Sequence, residues 1–269
     1  MIEHLLQPLI PERFRSDARY RDGHLRVVNA LPDRRVLGLH APEMKLLAKQ
    51  LSRYGAEVTI DGHAVHCANG REVISCFETV ASACLCYEET VIWGFLINLE
   101  KCTLEERLIM LEHYVPVLDN WAVCDSYCAN AKWMTKADKE ALWAFLLPYF
   151  HSKHEFEVRF AIVAAKTYFL KEEWLERVFG QIDSLDLGNI TSKYRTAKGK
   201  PQTAQAGTAQ GIEPYYVRMG VAWLLATALT KSPAQTRAFA RSTRLPADVI
   251  KLYTRKARES LLTRGVEPL

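Results

Sequence analysis

The sequence has no uninterrupted apolar run long enough to span a membrane, although 49% of its 269 residues are hydrophobic. Its N-terminal residues, M-I-E-H-L-L-Q, lack the basic start and the long apolar stretch of a secretion signal. These two absences argue against a membrane protein and against a secreted one. We therefore expect a cytoplasmic location.

The seven cysteines are odd in number and include no paired C-x-x-C arrangement. Reduced thiols in a cytosolic protein explain them better than a disulfide framework or a zinc site. Two local groups hold ligand-type side chains, Cys124 with Cys128 and the H-x-x-H-C cluster of His63, His66 and Cys67. Neither group has a second ligand pair at a recognisable distance, so we predict no metal. Nothing in the sequence demands an organic cofactor.

Strand-like sequence is almost absent. The one exception surrounds Asp61-Gly62, a pair typical of hairpin turns that lies between alternating residues, and it predicts at most one small β-hairpin insertion near 57–67. Residues 1–36 predict one or two short helices. After a loop ending at Pro42, residues 43–53 predict an amphipathic helix with apolar side chains at helical spacing, namely Met44, Leu47 and Leu51.

From Glu72 onward the sequence predicts ten consecutive helices with no strand between them. The predicted segments are 72–84, 86–99, 103–117, 121–132, 136–150, 154–169, 172–183, 214–230, 233–243 and 246–263. Such a series is typical of stacked helical pairs, and its length and spacing fit a superhelical solenoid of HEAT-like repeats, although no sequence period is evident. We predict an all-α fold in a single domain, 1–269, with a flexible surface loop at 193–213.

The net charge of +4 hides an asymmetry between the two halves of the chain. Residues 1–150 carry 16 Lys and Arg against 20 Asp and Glu, whereas residues 151–269 carry 19 against 11. The second half is therefore the better candidate for binding a polyanion. In its last helix, a basic side formed by Lys251, Arg255 and Arg258 is predicted to lie away from an apolar side formed by Ile250, Tyr253, Ala257 and Leu261. The basic side suits a phosphate backbone, and it equally suits a solvated surface.

The decapeptide D-N-W-A-V-C-D-S-Y-C contains the strongest candidate site. A helix that begins at Trp121, with Asp119 or Asn120 as N-cap, places Trp121 and Asp125 on one face. An indole face beside a carboxylate suits a planar, positively charged partner. The alternative is that the Trp packs in the core and the Asp serves the helix dipole.

Two later helices carry further candidates. Arg159 lies among apolar residues, so it needs an acidic or phosphate partner, or must extend to solvent. In the other helix, Tyr216, Gly220 and Trp223 share one face, and the glycine leaves an opening that suits either a flat group or a neighbouring helix. Core packing of both aromatic residues is the alternative.

Four motifs, L-D-N-W-A-V-C-D-S, F-E-V-R-F-A-I-V, Y-Y-V-R-M-G-V-A-W and T-R-K-A-R-E-S, together resemble the AlkD-like DNA alkylation repair enzymes. The likeness covers roughly residues 36–262, and it implies a HEAT-like repeat DNA glycosylase that grips the DNA backbone without flipping the base. By this resemblance Asp125 is the catalytic aspartate, Trp121 and Trp223 are the tryptophans facing each other across the cleft, and Arg159 is the cleft arginine. Ala226 departs from the pattern, because family members commonly carry an arginine there.

The resemblance implies a monomer that acts on double-stranded DNA carrying alkylated bases, as part of base excision repair. We expect Tyr216 and Arg218 to contact the DNA, together with Lys251, Arg255 and Arg258. The alternative is a non-catalytic helical-repeat scaffold that binds DNA or protein on its concave face.

Overall fold

The computed structural model describes residues 1–193, 214–263 and 265–269. Apart from Lys193, the predicted surface loop and its basic residues Arg195, Lys198 and Lys200 lie outside these ranges. The helices are α1 Glu3–Leu6, α2 Glu12–Ser16, α3 Ala18–Val28, α4 Ala41–Tyr54, α5 Gly70–Thr79, α6 Tyr87–Leu99, α7 Leu104–Tyr114, α8 Trp121–Asn130, α9 Lys139–Phe150, α10 Glu155–Tyr168, α11 Glu172–Asp183, α12 Tyr215–Lys231, α13 Pro233–Ser242 and α14 Ala247–Glu259. The predicted all-α fold is confirmed.

The one sheet in the described residues is a two-stranded antiparallel hairpin, β1 Ala56–Ile60 paired with β2 His63–Cys67. Asp61 and Gly62 both have positive φ, at 49° and 82°, as a tight two-residue hairpin turn requires. The predicted hairpin is therefore confirmed, both in its place and in its turn residues.

The structure differs from the predictions most clearly at three places, and several other helices begin or end up to three residues from their predicted bounds. The N-terminal region holds three helices rather than one or two. Helix α5 ends at Thr79 instead of continuing to residue 84, because Val80 and Ala81 are extended, and the β-branched pair Thr79-Val80 favours that change. Helix α14 ends at Glu259, since Ser260 is extended and its hydroxyl accepts the amide of Leu262. The prediction that Leu261 packs on the apolar side of α14 is wrong, because this residue is 84% exposed.

Backbone packing divides the chain into two compact units, each described by itself below. Unit 1 covers Met1–Trp133 and unit 2 covers the described residues from Met134 onward. The single-domain organisation expected from the sequence stays a prediction.

In unit 1, α6 is the central helix. Every residue from Tyr87 to Ile97 is buried, and α4 and α8 both pack against this helix. Helix α4 contributes the three predicted apolar residues, Met44, Leu47 and Leu51, all of them buried. At the start of α6 the buried Glu88 carboxylate accepts main-chain amides from Leu37, Gly38 and Leu39. These hydrogen bonds fix the loop before α4 onto the core.

In unit 2, α12 packs between α10 and α14. Ten residues of α10 and ten of α12 are buried, so most of both helices is enclosed by neighbours. Early residues of α10 contact early residues of α12, as Glu155 does Tyr216, and late residues contact later ones, as Lys166 does Trp223. The two helices therefore run parallel. Parallel stacking of alternate helices is the packing expected of helical repeats.

None of the helices in the described part of the chain is both long enough and apolar enough to cross a membrane.

Candidate functional site

The first turn of α8 is capped by Asn120. Its side-chain oxygen accepts the amide of Ala122 at 2.7 Å, and its amide group donates to the carbonyl of Val28 at 2.7 Å. Asp119, the other predicted cap, forms an ion pair with Arg34 at 2.6 Å instead. Asn120 therefore both begins α8 and joins it to the end of α3, which fixes the position of the residue that follows it.

Trp121 and Asp125 lie together on the accessible side of α8. Both are partly exposed, as are Ala122 and Ser126, while the other side of the helix is buried through Val123, Cys124, Tyr127 and Cys128. The indole N–H of Trp121 donates to the carbonyl of Val27 at 3.2 Å. The tryptophan is thus held by its edge and is not packed in the core, and its ring shares a solvent-reachable face with a carboxylate.

Arg159 is buried between α10 and α12. Its guanidinium Nη1 donates to the carbonyl oxygen of Tyr216 at 2.6 Å and lies beside Gly220, where a Cβ would come within 3.5 Å of it. The opening left by the glycine is therefore filled by the guanidinium and by Ile162. The requirement that Arg159 have a partner is met, in these contacts, by a main-chain oxygen.

Glu155 lies one turn before Arg159 on the same side of α10. Its carboxylate accepts the amide of Tyr216 at 2.7 Å and a hydrogen bond from the hydroxyl of Ser192. Burial raises the pKa of Glu155 to about 7, although these two hydrogen bonds and the charge of Arg159 act to lower it. Glu155 thus joins the start of α12 to α10 and keeps Tyr216 in place beneath the guanidinium.

Trp223 is the exposed aromatic residue of α12. It is 39% exposed on a helix whose neighbouring positions are buried, and the ammonium nitrogen of Lys166 lies 3.3 Å from its ring centroid. At this distance the ammonium group of Lys166 already occupies one face of the indole. Core packing, the alternative considered for this residue, does not describe it.

Two residues expected to contact DNA are less accessible than that role requires. Tyr216 is 8% exposed and packs against Phe156, with ring centroids 5.3 Å apart, so it supports Arg159 from within the core. Arg218 forms an ion pair with Asp248 of α14. It precedes Trp223 by five residues, about 140° of helical rotation, and so points away from the tryptophan. Ala226 is buried at 5% exposure.

The basic side of α14 is confirmed as an exposed surface. Val249, Tyr253 and Ala257 are buried, while the three basic residues are exposed on the opposite side, namely Lys251, Arg255 and Arg258. They border a shallow groove of about 530 Å³ that Ile250 and Leu269 also line. Arg255 lies 3.5 Å from Glu259, an exposed pair that leaves the surface predominantly basic.

Among the residues that the structure describes, no three His, Cys, Asp or Glu side chains converge as a metal site would need. The seven cysteines are free thiols. The Sγ atoms of Cys67 and Cys76 are 3.5 Å apart, and burial raises the pKa of Cys67 to about 12.

Comparison with protein families gives a match over part of the chain. Residues 76–189 match the family model described as DNA alkylation repair enzyme. This segment is similar to the DNA alkylation repair enzyme family. No curated protein and no solved structure shows significant similarity to the chain. The family resemblance predicted from the four motifs is confirmed over this segment.

The segment that matches the DNA alkylation repair family contains Trp121, Asp125 and Arg159, while Trp223 lies beyond it. Sequence reasoning missed two residues of unit 2, Glu155 near Arg159 and Lys166 over Trp223. A signal for both is present in the sequence, because they lie four residues before and seven residues after Arg159 and therefore on the same side of one helix.

Proposed function

We propose that this protein is a DNA glycosylase that excises cationic N3- or N7-alkylated purines from duplex DNA, acting as a monomer in base excision repair and without base flipping. The family match supports a role in repairing alkylated DNA. The proposal that the protein excises cationic purines rests on the Trp121–Asp125 pair, an indole and a carboxylate on one accessible face of a capped helix. An indole face and a carboxylate both suit a cationic nucleotide, because the one attracts a cation and the other neutralises its charge.

Alkylation at N3 or N7 makes the purine cationic and therefore a good leaving group from C1′. As the glycosidic bond lengthens, positive charge moves to the sugar, which becomes an oxocarbenium ion. A carboxylate near C1′ stabilises that charge and orients or deprotonates the attacking water. We assign this role to Asp125.

Trp121 favours cationic nucleotides over neutral ones. Its indole ring attracts a cationic nucleotide by about 0.5 to 2 kcal/mol, an attraction that a neutral base does not share. The N–H hydrogen bond to Val27 holds the ring by its edge and leaves the tryptophan partly exposed. In unit 2, the buried Arg159 contributes fixed positive charge beneath the face of α12 that carries Trp223, and we assign that face to DNA contact.

The test is release of 7-methylguanine and 3-methyladenine from alkylated duplex DNA by purified protein. Asp125→Asn keeps the side-chain shape and should lower the rate of release by about 10²-fold or more while thermal unfolding stays unchanged. Ser126→Ala, a neighbouring change on the same accessible face, is the matched control and should retain the wild-type rate. Unchanged release by Asp125→Asn would remove the catalytic assignment.

The alternative is a scaffold that binds DNA or protein without catalysis. One observation favours it, the burial of Ala226 at the position where the family resemblance expects an arginine. The same assay separates the two functions, because a scaffold binds the duplex and produces no abasic sites.

A further inference from the structure

Lys166 and Trp223 form the closest of the described contacts between a cation and an aromatic ring. The ammonium nitrogen lies 3.3 Å from the ring centroid, whereas the other such contacts range from 4.3 Å for Arg177 over Trp174 to 5.8 Å for Lys139 over Tyr168. Lys166 comes from the last turn of α10 and Trp223 from the middle of α12. The lysine side chain therefore lies across to the neighbouring helix, over an exposed ring.

This contact changes what that face of Trp223 can bind. A cationic nucleotide approaching the occupied face meets a positive charge already in place, and it has to displace an interaction worth about 0.5 to 2 kcal/mol. An anion meets the opposite situation, because the ammonium attracts it while the ring fixes where the ammonium lies. The occupied face thus favours a negatively charged group.

We propose that Lys166 is a DNA-phosphate-binding residue and that Trp223 is its positioning residue. The inference rests on the proposed DNA-binding function, and it gives Trp223 a role different from the one that the family resemblance implies. In this arrangement the exposed tryptophan restricts a flexible side chain before DNA arrives. Less conformational entropy is then lost when the lysine contacts a phosphate.

The neighbouring contacts are consistent with this role. Arg159, seven residues earlier on the same side of α10, holds the carbonyl of Tyr216, which fixes α12 against α10. The positions of Lys166 and Trp223 relative to each other are therefore set by two helices joined along their length. Because both residues lie on helices that are packed against each other, the lysine side chain starts from a fixed backbone position.

The experiment measures binding of unmodified duplex DNA as a function of salt concentration, which requires no excision. Lys166→Met keeps the chain length and removes the charge. It should reduce the magnitude of the negative slope of log K against log salt by about 0.9, the value for one phosphate contact. Lys166→Arg keeps the positive charge and should have the wild-type slope. Trp223→Leu leaves the net charge unchanged. It should also reduce the magnitude of the slope, because the ring no longer holds the ammonium where the phosphate binds. Lys171→Met, at the exposed lysine directly before α11, is the control and should leave the slope unchanged.

An unaltered slope in Lys166→Met would overturn the inference while leaving the glycosylase proposal intact. If Trp223→Leu kept the wild-type slope and lost base release, Trp223 would contact the nucleotide directly and would not position Lys166. Absence of duplex binding by the wild-type protein would contradict the proposed function itself. Thermal unfolding of each variant checks that the fold is retained.

Discussion

Arg34 and Asp119 form an ion pair although 85 positions separate them in the sequence. Nη2 of Arg34 lies 2.6 Å from Oδ2 of Asp119, and the two side chains are only 8% and 11% exposed. The guanidinium also donates to the carbonyls of Ser82 and Leu85. One arginine therefore fixes the segments that precede α6 and α8, and with them the start of the helix that carries Trp121.

The first prediction follows from that burial. Replacing one partner of a buried ion pair leaves the other charge without its partner and costs about 3 to 5 kcal/mol. Arg34→Met should therefore lower the free energy of unfolding by about that amount, as measured by urea denaturation. Arg255→Met is the control, because its pair with Glu259 is half-exposed and should contribute no more than about 1 kcal/mol. Equal losses in the two variants would contradict a structural role for Arg34.

A second prediction compares two glycines inside helices. At Gly94 of α6 a Cβ would lie 2.3 Å from the hydroxyl oxygen of Tyr114, a fully buried side chain that cannot move away. At Gly220 of α12 the nearest atoms would be a methyl group of Ile162 at 3.4 Å and Nη1 of Arg159 at 3.5 Å, which are ordinary contacts.

Gly94→Ala should destabilise the protein by about 1 to 3 kcal/mol through overpacking. Gly220→Ala should be neutral or stabilising by up to about 1 kcal/mol, the usual gain of alanine over glycine within a helix. Denaturant unfolding of both variants measures the difference. If Gly220→Ala were the more damaging change, the guanidinium would not lie where the structure places it.

Local sequence signals predicted most helices because their causes are local. Thr103 with Glu106 forms a capping box at the start of α7, with the amide of Thr103 donating to Glu106 at 2.8 Å. The pair Asp61-Gly62 likewise fixes the hairpin through backbone conformation alone. Where local signals conflict, as at Thr79 and Ser260, the predicted helices run too long.

The candidate site was predictable only in part. The spacing of Trp121 and Asp125 on one helix was available from the sequence, and the structure places both on the accessible side. The cap was not decidable between Asp119 and Asn120, because the choice depends on Arg34, a residue far away in the sequence. Contacts across helices, such as Lys166 with Trp223, have no signature that one sequence can provide.

A third prediction concerns pH and Glu155. Its carboxyl has a pKa of about 7 in the folded protein, against an ordinary value of 4.5 when unfolded. Between these two values the folded state binds more protons than the unfolded state, so this group makes stability fall as pH rises. Its contribution is most favourable below about pH 4.5, declines up to about pH 7 and is constant above it.

Glu155→Gln removes this titration. The oxygen of the new amide can still accept the main-chain amide of Tyr216, and its NH2 group can donate to the hydroxyl of Ser192 in place of the bond that Ser192 donates to Glu155. From pH 4.5 to pH 8 the stability of the variant relative to the wild-type protein should rise by about 3 kcal/mol, at about 1.4 kcal/mol per pKa unit. Urea denaturation of both proteins at several pH values measures this. A difference between them that does not vary with pH would show that folding does not raise the pKa of Glu155.

The last prediction concerns the basic side of α14. Lys251, Arg255 and Arg258 are exposed and face away from the buried side of the helix, so reversing their charges should not disturb the core. If they bind phosphates, the triple change to glutamate should flatten the dependence of duplex binding on salt, by about 0.9 in slope for each phosphate that is no longer bound. Fluorescence anisotropy with a labelled duplex at several salt concentrations measures the slope.

The matched control is the same triple change on α4, where a basic set of equal charge is also exposed, namely Lys45, Lys49 and Arg53. Both triple variants lower the net charge by six, so a difference between their slopes reports the location of the DNA and not the total charge. An unaltered slope for the α14 variant would place the DNA elsewhere on the protein. Equal flattening by both would mean that the duplex is attracted by overall charge, because a bound phosphate responds only to the residues that contact it.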